Sequence, residues 1–266
     1  PPRSLLRHPD FLKLWTAETI SVFGSAITQL ALPIIAATVL EVGAFEFGLL
    51  TTIEFLPFIL LSLPAGVWVD RLRRRPILIA AYIGRALALA SIPVAFLFDA
   101  LTIWQLYLVG FLNGCLTVFF DVSYQSYLPS VVDREQLVEG NSKLEITRYA
   151  AQILGPGLAG VLIATLRAPF AMVLDSISYL VSAVFLTWIR RPEPPVVAHD
   201  EAVHGPKPSM RADIATGLRY VLGHRWLRPI AATTGTSNFF SNVMGAILIL
   251  YLVRERGLGA EAIGFA

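Results

Sequence analysis

Long apolar stretches recur along this chain, and they leave few folds open to it. They run near 12–40, 47–69, 76–98, 103–128, 142–166, 169–189 and 227–252, and another opens at about 260. A bilayer span needs about 20 mostly apolar residues. A chain surrounded by water that repeated such stretches this often would aggregate. Composition points the same way, with 55% hydrophobic residues, 15% charged residues and a mean hydropathy of +0.65. Soluble domains hold about 45–50% apolar and about 25% charged residues. Several stretches contain Pro or Gly, which lipid-embedded helices tolerate because neighbouring groups satisfy the freed backbone. The fold class expected is an all-α membrane protein.

The chain starts at Pro1 and stops at Ala266, a few residues into an apolar run, which reads as a cut at both ends. Arg3, Arg7 and Lys13 precede an apolar run too long for a signal-peptide core, so the first span is expected to anchor the protein. Cys115 is the sole cysteine. That leaves no disulfide framework and no thiolate metal cluster within one chain.

Loop charges give an orientation. Arg3, Arg7 and Lys13 precede span one, Arg71, Arg73, Arg74 and Arg75 separate spans two and three, Arg134 and Lys143 lie between spans four and five, and Arg190, Arg191 and Lys207 follow span six. The opposite loops are nearly free of cations, apart from Arg167 and the run at 254–257 (RERG). Cations stay on the cytoplasmic side, so the N-terminus is expected inside a multi-pass protein of the cell membrane. The RERG run stands as the exception.

After span six the texture changes. Residues 190–210 are rich in Pro and charge, the composition of a semi-rigid linker. Ile214, Leu218, Val221 and Leu222 then recur at helical spacing, flanked by Arg211, Arg219 and Arg225. Two readings fit: an amphipathic helix lying on the membrane surface, or a linker helix packed on the protein's own cytoplasmic face. The expected organisation is a six-helix bundle over 1–190, a linker over 191–225 and the start of a second bundle over 226–266. Sliding the chain by 216 positions sets Ser21 on Ser237, Phe23 on Phe239, Ser25 on Ser241, Gly43 on Gly259 and Gly48 on Gly264. A parallel duplication of a six-span unit would produce this.

The turn between spans two and three carries the most information. Gly66 leaves room for a neighbouring helix. Asp70 sits where the helix dipole disfavours negative charge, so it needs a cationic or N–H partner. Pro76 suits the first turn of span three. Gly66, Asp70, Arg71, Arg74 and Arg75 resemble motif A of the major facilitator superfamily, G-x-x-x-D-R-x-G-R-R/K, with Arg73 in place of the second glycine. The segments 31–40, 120–141 and 174–183 resemble the branch with macrolide-efflux and enterobactin-exporter-like proteins. The resemblance implies twelve spans, an N-terminal six-helix half plus the start of the second, and a gate latch at the 66–75 loop.

Ionisable groups at membrane depth cost about 2.5–3.5 kcal/mol each on the insertion scale and mark function by default. Glu54 precedes Pro57, whose missing N–H leaves the Ile53 carbonyl without a donor. A carboxyl held out of water can exchange a proton near neutrality, so Glu54 is a coupling candidate; a structural hydrogen bond is the alternative. Asp121 is expected to pair with Arg85 or Arg74 as a latch between helices, with proton carriage as the alternative. Asp175 is expected to lie shallow enough for water to reach it, as a site for protons or a cationic substrate or as packing. Glu18 and Gln29, eleven residues apart, share one face of span one, which is expected to line a central cavity. Ser142-Lys-Leu-Glu145 reads as a capping box opening span five, with Arg148 either pairing with Glu145 or meeting an anionic substrate.

Gly155-Pro156-Gly157-Leu-Ala159-Gly160 resembles motif C of the superfamily, G-P-x-x-G-G, which the resemblance associates with antiporters. Physically, Pro156 kinks the helix and small residues admit a close neighbour.

An exporter of small amphipathic compounds (drug, macrolide or siderophore-like), driven by protons and working by alternating access, is therefore expected. Uptake or flipping of a lipid-like molecule on the same fold is the alternative. A membrane enzyme is expected least, because His8, His199, His204 and His224 lie outside the spans. A permease subunit served by a separate ATPase stands equally low, and no phosphate-loop sequence occurs. The expected partners are the lipid bilayer, a small-molecule substrate and protons. No metal, cofactor or nucleic acid is expected, and the full-length protein is expected to act as a monomer.

Overall fold

The computed structural model describes residues 5–193 and 210–265. Arg3, Lys207, His199, His204 and most of the Pro-rich linker lie outside the described residues. Among the described residues the chain is helical with no β-strand. The helices are α1 (Pro9–Ile34), α2 (Ala44–Asp70), α3 (Arg74–Leu97), α4 (Ile103–Val131), α5 (Leu137–Leu166), α6 (Ala168–Thr187), α7 (Met210–Gly223), α8 (Leu227–Arg254) and α9 (Ala260–Phe265). A π-helical turn at Ile35–Val39 prolongs α1. Among the described residues seven helices, α1 to α6 and α8, are long and apolar enough to cross a membrane.

These helices are apolar on nearly every face. They bury one stripe in the bundle and leave the rest for lipid: Ile59 (79%), Leu87 (66%) and Ile153 (77%) are exposed, whereas Leu32, Leu78 and Leu89 are not. Lipid is as apolar as leucine, so helices associate through close packing and hydrogen bonds. α1 packs on α5 and α6, α3 on α4 and α6, and α2 on α4. The α1–α6 seam is lined with hydroxyls. Ser182 donates to the Ala17 carbonyl at 2.7 Å, Ser25 and Tyr179 share a 2.7 Å hydrogen bond, and a Cβ on Gly24 would stand 2.1 Å from Ser178 Oγ. The α2–α4 seam closes on Gly110 and Gly114, where a Cβ would come within 3.0 Å of Glu54 Cγ and 2.7 Å of the Glu54 carbonyl. α2 runs unbroken through Pro57 and Pro64.

One expectation about a helix start changes. α5 begins at Leu137, after a 3-10 turn at Arg134–Gln136, so the capping box at Ser142 does not form. Ser142 lies inside the helix and donates to the Val138 carbonyl at 2.8 Å, the back-bond open to any mid-helix serine. α7 forms where the amphipathic pattern predicts a helix and packs on α2 and α8. Ile214 and Val221 are half-buried, whereas Leu218 and Leu222 are exposed.

The two ends of the bundle differ. At the basic end, residues 188–193 bind to four other helices or turns. Asp10 of α1 accepts from the Arg190 and Arg191 N–H groups at 3.1 and 2.9 Å, and Lys13 donates to the Trp188 carbonyl at 2.7 Å. Arg191 donates to the Val131 carbonyl at 3.1 Å and to Asp133 at 2.9 Å. Glu193 caps α3, accepting from the N–H groups of Arg74 and Arg75 at 2.6 and 3.2 Å. At the far end, the turns after α1, α3, α5 and α8 each hold a residue with positive φ: Glu41 (49°), Asp99 (49°), Arg167 (67°) and Gly257 (60°). A short reversal between antiparallel helices demands that geometry there.

Candidate functional site

Among the first six helices a cavity of about 430 Å³ opens between α1, α3, α4 and α5. Its polar wall is built from residues one helical turn apart on α1 (Glu18, Ser21, Ser25, Gln29), met by Arg85 of α3, Asp121 of α4 and Arg148 and Gln152 of α5. Two carboxyls and two guanidiniums share this space. Arg148 lies 3.7 Å from Glu18 and 3.6 Å from Glu145, so one half-exposed guanidinium links a buried acid to a surface acid. Glu18 is 4% exposed and its Oε2 has no hydrogen-bond partner.

Arg85 does not pair with Asp121 as expected. It is buried, donates to Asn113 Oδ1 at 3.3 Å and to the Tyr179 hydroxyl, and lies 4.1 Å from the centre of the Tyr179 ring. Tyr82 and Phe120 complete an aromatic wall behind it, their rings 4.6 Å apart. An amide and a hydroxyl take two of this guanidinium's five donors, and Asp121 lines the cavity with no salt bridge among the described residues. Arg74, the other expected partner, lies 3.8 Å from Glu193 instead.

Asp175 also departs from expectation. It is not shallow but fully buried in the α1–α6 seam, accepting from Thr28 and, at 3.0 Å, from Ser178. Two hydroxyls take the place of water. Glu54 is half-buried against the α4 glycines and has no hydrogen bond or ion pair among the described residues.

At the basic end, Arg75 donates to the carbonyls of Leu186 and Thr187 at 3.0 and 2.6 Å, tying α3 to the last turn of α6. Arg71 closes α2 with its N–H on the Trp68 carbonyl at 3.1 Å. Arg73 is the N-cap of α3 at φ −71° and ψ 130°, ordinary extended backbone, so a glycine is not needed there. Asp70 is exposed and, contrary to expectation, has no partner among the described residues; no atom lies within 4 Å of a Cβ added to Gly66.

In α5 the small residues do meet neighbours. A Cβ on Gly155 would lie 2.7 Å from Ala26 Cβ of α1, and one on Gly160 would lie 2.7 Å from the Ala260 carbonyl of α9. From the other side, a Cβ on Gly264 would stand 2.2 Å from the Pro156 carbonyl. Sequence reasoning did not find Glu193, Asn113, Tyr179 or Thr28. Gly110 and Gly114 were open to it, since their G-x-x-x-G spacing marks a close helix contact.

The family model described as "Major Facilitator Superfamily" matches residues 14–266. The chain belongs to the major facilitator superfamily. Among curated relatives, macrolide efflux protein A of Streptococcus pyogenes is 24% identical over 69% of this chain and 45% of its own. The multidrug efflux pump Tap of Mycolicibacterium fortuitum is 29% identical over 85% of this chain and 54% of its own. The enterobactin exporter EntS of Citrobacter koseri is 23% identical over 61% and 39%. The chain spans about half the length of the curated relatives it matches. As a major facilitator chain it is a multi-pass membrane protein, comprising the first six-helix half and the beginning of the second.

Proposed function

We propose that the whole protein is a secondary exporter of small amphipathic compounds, alternating access between two halves and driven by inward proton flow. The observation that carries this reading is the cavity at α1, α3, α4 and α5, a polar and charge-balanced space inside otherwise apolar helices. Ionisable groups are kept at such depth only where they face a pathway or a partner. The efflux names of the macrolide, multidrug and enterobactin relatives support the export direction. The glycines and Pro156 of α5, set against α9, support a seal of the antiporter kind. Residues 1–190 act as one bundle, 191–225 as its linker and 226–266 as the start of the second bundle. The basic end faces the cytoplasm and the protein sits in the cell membrane.

Glu54 serves as the proton carrier in this scheme. Packed on glycine backbone without a cationic partner, it can gain a proton without breaking any contact. The Glu18–Arg148–Glu145 chain faces the substrate space. Proteoliposomes holding the whole protein under an imposed pH gradient test the reading, with macrolides, siderophores and lipophilic cations as substrates. Efflux is expected to follow the gradient and to lose that dependence in Glu54→Gln. Efflux indifferent to both would refute coupling through Glu54.

A further inference from the structure

The Arg254–Gly257 run breaks the alternation of loop charge. Arg254 ends α8, and its Nη2 donates to the Val42 carbonyl in the turn between α1 and α2. That turn is itself fixed: Val42 is 6% exposed and its N–H donates to the Ala36 carbonyl of the π-helical turn at 3.1 Å. α8 packs on the first six helices near this end. Ile249, Leu250, Leu252 and Val253 pack on their core, whereas Ile230, Phe239 and Phe240 are at least 60% exposed.

Two seams thus join α8 and α9 to the first half at the far end, and they differ in tightness. The α5–α9 seam is backbone against backbone, with a Cβ on Gly264 only 2.2 Å from the Pro156 carbonyl. The α2–α8 seam holds a gap of about 410 Å³ between Phe47 and Gly48 on one side and Leu250 and Tyr251 on the other. A tight seam resists shear and separation, while a gapped one has little dispersion energy to lose.

We propose that Arg254 is the pin of the far-end gate. The halves part there by α8 leaving the α1–α2 turn while the α5–α9 seam acts as the pivot, and Arg254 must release the Val42 carbonyl for this to happen. A guanidinium suits the task, because its donors find water as soon as the seam opens. Arg256 does not share the role, since it folds back over Tyr251 of α8, 5.7 Å from the ring centre. The inference rests on the alternating-access reading above.

The test uses the whole protein with Cys115→Ser and a single Gln29→Cys in the cavity, in vesicles exposing the far end. A membrane-impermeant maleimide is added without substrate or gradient, so the outcome does not depend on whether export is the activity. Arg254→Gln is expected to speed labelling about tenfold, the weight of one charge-assisted hydrogen bond. Arg254→Lys is expected to fall between, and Arg256→Gln to match the parent. An unchanged rate in Arg254→Gln, or an equal rise in Arg256→Gln, would overturn the proposal. Should Arg254→Gln fail to insert, Arg254→Lys in the same Cys115→Ser, Gln29→Cys background decides. Faster labelling of Arg254→Lys than of the parent supports the pin, and an unchanged rate overturns it.

Discussion

Adding one methyl group at Gly264 should separate α9 from α5 by a distance that the structure sets. The new Cβ would start 2.2 Å from the Pro156 carbonyl oxygen, and ordinary contact begins near 3.4 Å, so α9 must retreat by about 1.2 Å. At Gly160 the Cβ would start 2.7 Å from the Ala260 carbonyl, requiring about 0.7 Å. Backbone atoms block both, so no side-chain rotation relieves them. Overpacking costs about 1–3 kcal/mol, partly offset by up to about 1 kcal/mol from alanine's better helix propensity. Gly264→Ala is therefore expected to destabilise by about 2 kcal/mol and Gly160→Ala by about 1 kcal/mol. One retreat of α9 serves both methyls. The double variant should then lie within about 0.5 kcal/mol of Gly264→Ala alone, where distant sites would add. Thermal unfolding of the purified whole protein by intrinsic tryptophan fluorescence reads this as a Tm drop of about 2–4 °C for Gly264→Ala. Gly259→Ala, with nothing within 4 Å of the added atom, is the control. A Gly264→Ala protein as stable as that control, or an additive double variant, would refute the packing argument.

Glu193→Ala removes the acceptor for two N–H groups in the first turn of α3 and should cost about 1–2 kcal/mol; Glu193→Gln, which keeps one oxygen, should lose less, and equal Tm values for the two would count against capping. Thr28→Val leaves the buried Asp175 short of a hydroxyl donor and should cost about 1–3 kcal/mol, while Thr28→Ser restores most of it; the comparison is again thermal unfolding, and a Val variant as stable as the Ser variant would exclude that hydrogen bond.

The spans were legible because bilayer thickness fixes helix length, and α2, α3 and α6 lie within a few residues of their hydropathy limits. The site was legible in part. Glu18 and Gln29 share the cavity because an eleven-residue spacing returns to one helix face. Partners were harder. Asp175 seemed shallow from its distance to the end of α6, but exposure depends on what faces it, and Gly24 brings Thr28 and Ser178 onto the carboxyl. Charge pairing suggested Asp121 for Arg85, yet Asn113 and Tyr179 lie nearer its donors, and a guanidinium donates to neutral oxygens as well as to an acid. The Ser142–Glu145 spacing occurs inside helices as well as at their starts, so alone it does not place a boundary. Gly48 and Gly264 share a register in the internal repeat, but one faces open space and the other a backbone. No local signal could have marked Glu193, whose role depends on α3 being folded nearby.

The chain leaves the first six helices through residues 188–193, where Lys13, Asp10, Arg191 and Glu193 tie it to α1, α3 and the α4–α5 turn. A force transmitted along the following segment would therefore be spread over several helices at once and would not peel α6 away. Such an anchor lets one half be pulled as a stiff body. In the alternating-access scheme proposed above, the work of a conformational cycle would go into turning the bundle, with little lost to stretching its last helix.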